Sequence, residues 1–368
     1  MIFLRSAIIA RNAAPTFPQA LEFLSENLTM TADLRLTALA QWLTPFVPHY
    51  GLDLSTLAPA SNDASFRRYF RLSAAQRGSL IVMDAPPAHE DCRPFVQVAA
   101  LFAQAGVSVP QVLEQDLAQG FLLLTDLGHH TYLDQLNADT APTLYGDALN
   151  ALIRIQSISK PGVLPIYDRA LLARELQLFP DWYLGKQMQA TLSDTEQQQL
   201  QQVFDTLLTN NLAQPQVYVH RDYHSRNLMV QEGAANPGIL DFQDAVHGPI
   251  TYDLLSLLRD AYIEWPEEQV LDWVIRYWEK ARKAGLPVAA DASDFYRDFE
   301  WMGLQRFLKV LGIFARLYHR DGKARYLDDL PRVLRYTRHV AARYSAFTPL
   351  LKLLDRLENK AVTTGYTF

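Results

Sequence analysis

The sequence predicts an α+β chain of two lobes, a small β-rich lobe followed by a larger, mostly helical one. Three observations carry this reading. Short aromatic and β-branched runs bounded by turn signals, 66–72 (FRRYFRL), 79–83 (SLIVM) and 121–128 (FLLLTDLG), gather in the first third of the chain. Beyond residue 140 apolar residues recur at helical spacing almost to the C-terminus. One short β-rich insert, 217–243, interrupts that helical half.

The elements follow in order. TADLRLTALAQWL (31–43) spaces Leu34, Leu36, Leu39, Ala40 and Leu43 along one helix face. PFVQVAALFAQAG (94–106) predicts a helix closed by Gly106, which can take the left-handed conformation just past a helix end. The run 121–128 reads as a buried strand opening into a turn. Helices follow at 143–157, 170–184 and 193–210, the last opened by the capping box Ser193-x-x-Glu196. After the insert come helices at 251–264, 267–284, 294–319, 331–345 and 349–358. The expected organisation is an extension outside the fold at 1–30, a first lobe at 31–124, a hinge at 125–130 and a second lobe at 131–368. Met30, followed by TADLRLTALAQWL, makes a cleaner beginning than MIFLRSAIIARN.

With 49% hydrophobic and 20% charged residues, the chain can bury a sizeable core, which excludes wholesale disorder. Its one cysteine, Cys92, excludes an intramolecular disulfide framework and a cysteine-rich zinc site, and fits a reducing cytoplasm. No apolar run reaches the roughly 20 residues that a membrane span requires. The first residues, interrupted by Arg5 and Arg11, read poorly as a signal peptide. A net charge of −6 argues against general nucleic-acid binding. Residues 301–360 nevertheless hold 13 Lys/Arg against 5 Asp/Glu. That excess is either the solvated faces of C-terminal helices or a basic wall for an anionic substrate.

In VYVHRDYHSRNLMV (217–230) a strand breaks into a cluster of ionisable and amide side chains. His220, Asp222 and His224 alternate as metal ligands on a strand would, which suits metal-dependent hydrolysis. That reading leaves Asn227, Asp241 and Asp253 unexplained, and hydrogen bonding within the loop is the simpler role for His224. Phosphoryl transfer needs a carboxylate to orient and deprotonate the attacking hydroxyl, and hard oxygen ligands to hold magnesium against phosphates. Asp222 sits just after the strand and Asn227 follows five residues later. LMVQEGAANPGILDF continues as two apolar runs around a turn, so a hairpin would return Asp241 beside Asn227.

His220-Arg221-Asp222 with Asn227, and Asp241-Phe242-Gln243 after the hairpin, resemble the catalytic set of protein-kinase-like phosphotransferases. The resemblance implies a two-lobed protein-kinase-like fold, Asp222 as catalytic base, Asn227 and Asp241 as magnesium ligands, and ATP with Mg2+ as cofactors. HGPITYDLLSLLRD (247–260) is similar to the aminoglycoside phosphotransferase and choline kinase-like family, in which an Asp matching Asp253 braces the catalytic loop. Only seven residues separate Asp241 from Pro249 and no A-P-E motif follows, so no peptide platform is expected and a small acceptor is. SNDASFRRYFRL (61–72), VMDAPP (82–87), LLLTDLG (122–128), YDRALLARELQLFPDWYL (167–184) and GLQRFLKVLGIFARLYHRDGK (303–323) are similar, as a set, to one bacterial branch of that family. That branch phosphorylates the anomeric hydroxyl of N-acetylmuramate and N-acetylglucosamine in peptidoglycan recycling. The resemblance implies a cytoplasmic monomer acting on a small amino sugar, with neither nucleic acid nor membrane as partner. A kinase of another small alcohol, or an inactive nucleotide-binding regulator, are the alternatives.

The chain departs from the wider kinase pattern in two places. SNDASF contains no glycine where a Gly-rich phosphate loop belongs, so Ser61 and Ser65 are expected to assist backbone N–H groups there. Met83 occupies the place of the usual phosphate-binding lysine; Arg67, Arg68 or Arg71 of the preceding strand could supply a cation instead, the family resemblance implies Arg68, and surface placement is the competing reading. Backbone groups near Leu124 and Asp126 are expected to read the adenine edge. Glu175 and Trp182, seven apart on a predicted helix, suit a pyranose, through hydrogen bonds to its hydroxyls and stacking on its C–H face; helix packing would look the same. Arg306 and Lys309, three apart, are candidates to meet the lactyl carboxylate of a muramic acid.

Overall fold

The computed structural model describes residues 34–61, 66–233 and 236–358, so the expected extension at 1–30 lies outside the described residues. Two compact units form. Of the described residues, one holds those up to Asp91 together with Leu113–Asp126, and the other holds Cys92–Val112 and those from Leu127 onward.

In the first unit, helix α1 (34–43) and the short helix α2 (Val47–Tyr50) precede a five-stranded sheet. Its strands are β1 (Leu52–Ser61), β2 (Arg68–Ala74), β3 (Gly78–Asp84), β4 (Val112–Asp116) and β5 (Phe121–Thr125), in the order β1-β2-β3-β5-β4. The β1/β2, β2/β3 and β3/β5 pairings are antiparallel. Leu39 and Leu43 of α1 pack on Phe70, Leu72, Leu80, Val82, Phe121 and Leu123, whose alternation puts them on one sheet face. The edge strands β1 and β4 were not legible in the sequence. LDLSTLAPAS carries Pro59 and pairs through two register shifts, and VLEQD lacks apolar alternation, so neighbouring strands rather than propensity define both.

The second unit contains α3 (Arg93–Gln104), α4 (Tyr132–Gln135), α5 (Ala141–Ser157) and α6 (Arg169–Leu178). Helix α3 was expected in the first lobe, within 31–124, but its apolar face belongs here: Phe95 and Phe102 pack on buried Phe242 at ring distances of 4.9 and 6.0 Å. Truncating Phe242 to Ala would cost about 3–5 kcal/mol. After α6 the chain does not continue as an α-helix to residue 184. Pro180 has no N–H for the ladder, and Phe179–Gln187 form a π-helix instead.

Helix α7 (Asp194–Ala213), with the Ser193/Glu196 capping box present, leads to strand β6 (Gln216–Val219). Strands β7 (Leu228–Met229) and β8 (Gly238–Ile239) form the expected hairpin, Leu228 opposite Ile239. β9 (Val246–Pro249) returns to pair with β6, so one ladder holds both ends of the segment that carries the candidate site. Helices α8 (Tyr252–Leu258), α9 (Glu267–Lys283), α10 (Ala292–His319), α11 (Leu330–Arg343) and α12 (Thr348–Leu357) follow. Helix α8 stops at Leu258 rather than 264, because Asp260 is drawn off the helix to accept from the loop at Ser225.

Helix α10 is the spine of this unit, buried along most of its length between Phe295 and Ala315. Gly312 lets it approach α6 closely: a Cβ there would lie 2.4 Å from the Leu178 carbonyl carbon. The arginine-rich C-terminal segment is tied into ion pairs. Arg335 meets Glu264 at 2.5 Å, Arg343 meets Glu300 at 2.5 Å, Arg356 meets Glu196 at 2.6 Å, and Arg338 meets Asp355. Two cations of α10, Arg306 and Lys309, instead lie buried.

Candidate active site

The site is built on the loop between β6 and β7. His220, fully buried, uses both ring nitrogens: Nδ1 accepts the Asp222 backbone N–H at 3.2 Å and Nε2 donates to the Leu240 carbonyl at 2.9 Å. Burial pushes its pKa down to about 4, so it is a neutral strut at physiological pH. This removes the His220-x-Asp222-x-His224 metal-ligand reading. Among the described residues, Glu267, Glu300 and His339 do bring three ligand atoms within 4.8 Å of one another, but Arg259 and Arg343 already hold the carboxylates.

Two buried carboxylates secure the loop backbone. Asp253 of α8 accepts the N–H of His220 at 2.6 Å and of Arg221 at 3.0 Å. Burial pushes its pKa up to about 7, outweighing those two donors. Asp260 accepts the Ser225 N–H at 2.9 Å together with the Ser225 hydroxyl, and the Tyr262 N–H at 3.0 Å. Asp260 was missed in the sequence, where its spacing of seven from Asp253 was the available signal.

The loop delivers Asp222 with a side chain 43% exposed although protein atoms ring its base. That burial opposes ionisation, yet the cations Lys309, Arg306 and Arg221 together hold the carboxyl down at about 2. The open surface is the face a second molecule can reach. Asn227 donates Nδ2 to the Asp222 carbonyl at 2.9 Å and to Asp241 Oδ2 at 3.4 Å, which leaves its amide oxygen to offer a cation. Asp241 follows the hairpin, with the Leu240 N–H on the Asn227 carbonyl at 2.9 Å, and its Oδ1 accepts from Gln243 at 2.7 Å. Asp241 (φ 62°) and Arg221 (φ 78°) both occupy the left-handed region, a strain that persists only where surrounding contacts over-determine it.

Glu175, Arg306 and Lys309 come to the same place from α6 and α10. Glu175 meets Arg221 at 2.6 Å and Lys309 at 2.9 Å; Lys309 also donates to Tyr252 at 3.0 Å. Arg306 donates Nε to Ser256 and stands 3.9 Å from Asp222 Oδ1. Trp182 sits half-buried on the π-helix, so its seven-residue spacing from Glu175 does not run along one unbroken α-helix. Arg221 and Tyr167 were not foreseen as parts of this network.

The remaining candidates belong to the first unit. Arg68 lies opposite Asp84 in the β2/β3 register and donates Nε to it at 2.9 Å; Arg35 donates to the same buried carboxylate at 2.7 Å. Leu124 is buried in β5 opposite Ile81. Asp126 accepts from Arg71 at 2.6 Å and from Ser79 at 2.6 Å. Ser61 closes β1 opposite Tyr69, and Ser65 lies outside the described residues.

Residues 56–286 match the profile of the phosphotransferase enzyme family. The chain belongs to that family. The N-acetylmuramate/N-acetylglucosamine kinase of Pseudomonas aeruginosa is 51% identical over 339 residues, 90% of this chain and 99% of that protein. The protein of the same name from Neisseria meningitidis serogroup B is 49% identical over 339 residues, covering 91% and 99%. Among solved structures, ADP-bound aminoglycoside phosphotransferase APH(2'')-Ib superimposes with a TM-score of 0.51 at 15% identity, over 81% of this chain and 97% of that one. This phosphotransferase therefore has the family's kinase-like fold, a sheet unit and a mostly helical unit.

Proposed function

We propose that this chain is an ATP-dependent kinase that phosphorylates the anomeric hydroxyl of N-acetylmuramate and N-acetylglucosamine, yielding sugar 1-phosphates for cell-wall recycling. The observation that carries the reading is the meeting across the hairpin of Asp241 with Asn227, which lies five residues beyond a half-buried, ionised Asp222. The names of relatives near 50% identity supply the acceptor class.

Asp222 orients the sugar hydroxyl. A carboxylate held at about 2 is a weak base, so it takes the proton late, as phosphoryl transfer proceeds. This suits a reaction in which positioning and electrostatics outweigh proton abstraction. The amide and carboxylate oxygens of Asn227 and Asp241 are the hard donors that magnesium selects, and these residues would hold it. Bound magnesium neutralises charge on the phosphates. Buried Arg306, 3.9 Å from Asp222, adds a fixed positive charge on the acceptor side, and Trp182 offers an indole for the pyranose C–H face. Lys309 lies behind them as a partner of Glu175. In the first unit, Ser61, Ser65 and Arg68 serve the phosphates, and backbone groups at Leu124–Asp126 serve the adenine. A single buried thiol, Cys92, fits an enzyme of the reducing cytoplasm.

Phosphorus NMR of the product formed from Mg-ATP and N-acetylmuramate tests the reading. An anomeric phosphate is expected, with ADP release abolished in Asp222→Ala. A 6-phosphate, or no sugar phosphate at all, would overturn it.

A further inference from the structure

Glu175 has the features of a sugar ligand in the sequence and a different set of neighbours in the fold. Its side chain is buried, and both carboxylate oxygens are filled. Oε1 accepts from Arg221 at 2.6 Å and from Lys309 at 2.9 Å. Oε2 accepts from the Tyr167 hydroxyl and from Gln305 at 3.4 Å. An ionised carboxylate offers about four lone-pair sites, so four donors leave no capacity for a sugar hydroxyl.

The ion pair acts on a strained position. Arg221 sits at φ 78°, which a non-glycine residue adopts only when its surroundings enforce it, and the next residue is Asp222. The Arg221 backbone N–H is tied to Asp253 at 3.0 Å, its guanidinium lies 5.5 Å from the Tyr167 ring centroid, and its fork meets Glu175. Backbone and side chain are therefore clamped from opposite ends, and the direction in which Asp222 leaves the turn follows. Lys309, held by Glu175 and Tyr252, is likewise kept on its own partners and off the Asp222 carboxylate.

We propose that Glu175 is a positioning residue that aims Asp222 through Arg221, and that it does not touch the sugar. This rests on the sugar-kinase reading above. Removing the charge in Glu175→Gln puts an amide N–H2 against cations and releases Arg221 to turn.

Steady-state kinetics of the full-length chain with Mg-ATP and N-acetylglucosamine test the proposal. Glu175→Gln is expected to lower kcat about 100-fold, the scale of a reacting group misplaced by an ångström. Its KM for the sugar should stay within about threefold of wild type, because no binding contact is lost. Arg221→Gln should do the same, and the double variant should be no worse than the weaker single one, since both act through one pair. A raised sugar KM with kcat retained would make Glu175 a direct ligand and overturn the proposal, as would losses that multiply in the double variant. If Glu175→Gln does not fold, Tyr167→Phe decides: a several-fold lower kcat at constant sugar KM supports the placement, and unchanged kcat refutes it. The wild-type arm separates the two readings. Absence of sugar phosphate from the wild type refutes the sugar kinase, and the variants' effect on acceptor-free ATP hydrolysis, lowered or unchanged, then decides the placement of Asp222 by itself.

Discussion

Asn227 donates its amide to Asp241 Oδ2 at 3.4 Å, across a hairpin that separates them by 14 residues. Neither residue can reach the other without β7 and β8, whose two-residue ladder sets Leu228 opposite Ile239 and so brings their neighbours together. The contact joins the two oxygen-bearing residues that stand beside Asp222 in the proposed kinase.

Asp241→Asn isolates the charge from the backbone. Asn tolerates the left-handed region almost as readily as Asp, so the φ of 62° is retained while the carboxylate is lost. Turnover is expected to fall by at least about 100-fold. Sugar affinity measured by calorimetry should change little; equal losses in both would oppose the assignment.

His220 and Asp253 give opposite pH signatures in stability. His220 has its pKa lowered from 6.5 to about 4, so the unfolded chain binds the extra proton between those values. Its contribution is complete above about 6.5 and is lost as pH falls through about 4, with a slope of at most about 1.4 kcal/mol per pH unit. Asp253 has its pKa raised from 3.8 to about 7, so its contribution is complete below about 3.8 and is lost as pH rises through about 7. In urea unfolding, the destabilisation by His220→Gln should shrink as pH drops from 7 to 4. That by Asp253→Asn should grow over the same change. Parallel trends in the two variants would contradict these burial effects.

Gly312→Ala should destabilise the chain by about 1–3 kcal/mol. The added Cβ would meet the Leu178 carbonyl at 2.4 Å, and backbone cannot yield as a flexible side chain would. Because Leu178 ends the helix that carries Glu175, turnover measured well below the melting temperature should fall too. Thermal melts with parallel assays check both.

Arg68→Gln should raise the KM for ATP several-fold and leave the sugar KM unchanged, if its guanidinium serves the phosphates as well as Asp84. Lower thermal stability with an unchanged KM for ATP would make Arg68 a strut for buried Asp84, with Arg35 as its companion.

Much of the chain was legible because its signals are local. The helix 194–213 announced itself by a capping box, and the β7–β8 hairpin by two short apolar runs around a turn. From that hairpin the proximity of Asn227 and Asp241 followed without any long-range information. The edge strands β1 and β4 were not legible, since their pairing comes from neighbours rather than from their own residues. The end of helix α8 was misplaced because the hydrogen bond that diverts Asp260 comes from Ser225, 35 residues earlier.

By itself the sequence determined the two kinds of unit, the loop that carries Asp222, and the return of Asp241, all set by periodicity and turn chemistry over short spans. Tertiary structure decided what the charged residues do. Glu175 finds Arg221 46 residues away and Gln305 130 residues away, and with Lys309 and Tyr167 these donors fill both of its carboxylate oxygens. The physical reason is burial. A charge taken out of water must find partners, and which ones it finds depends on helices α6 and α10 packing together, a contact no local pattern encodes.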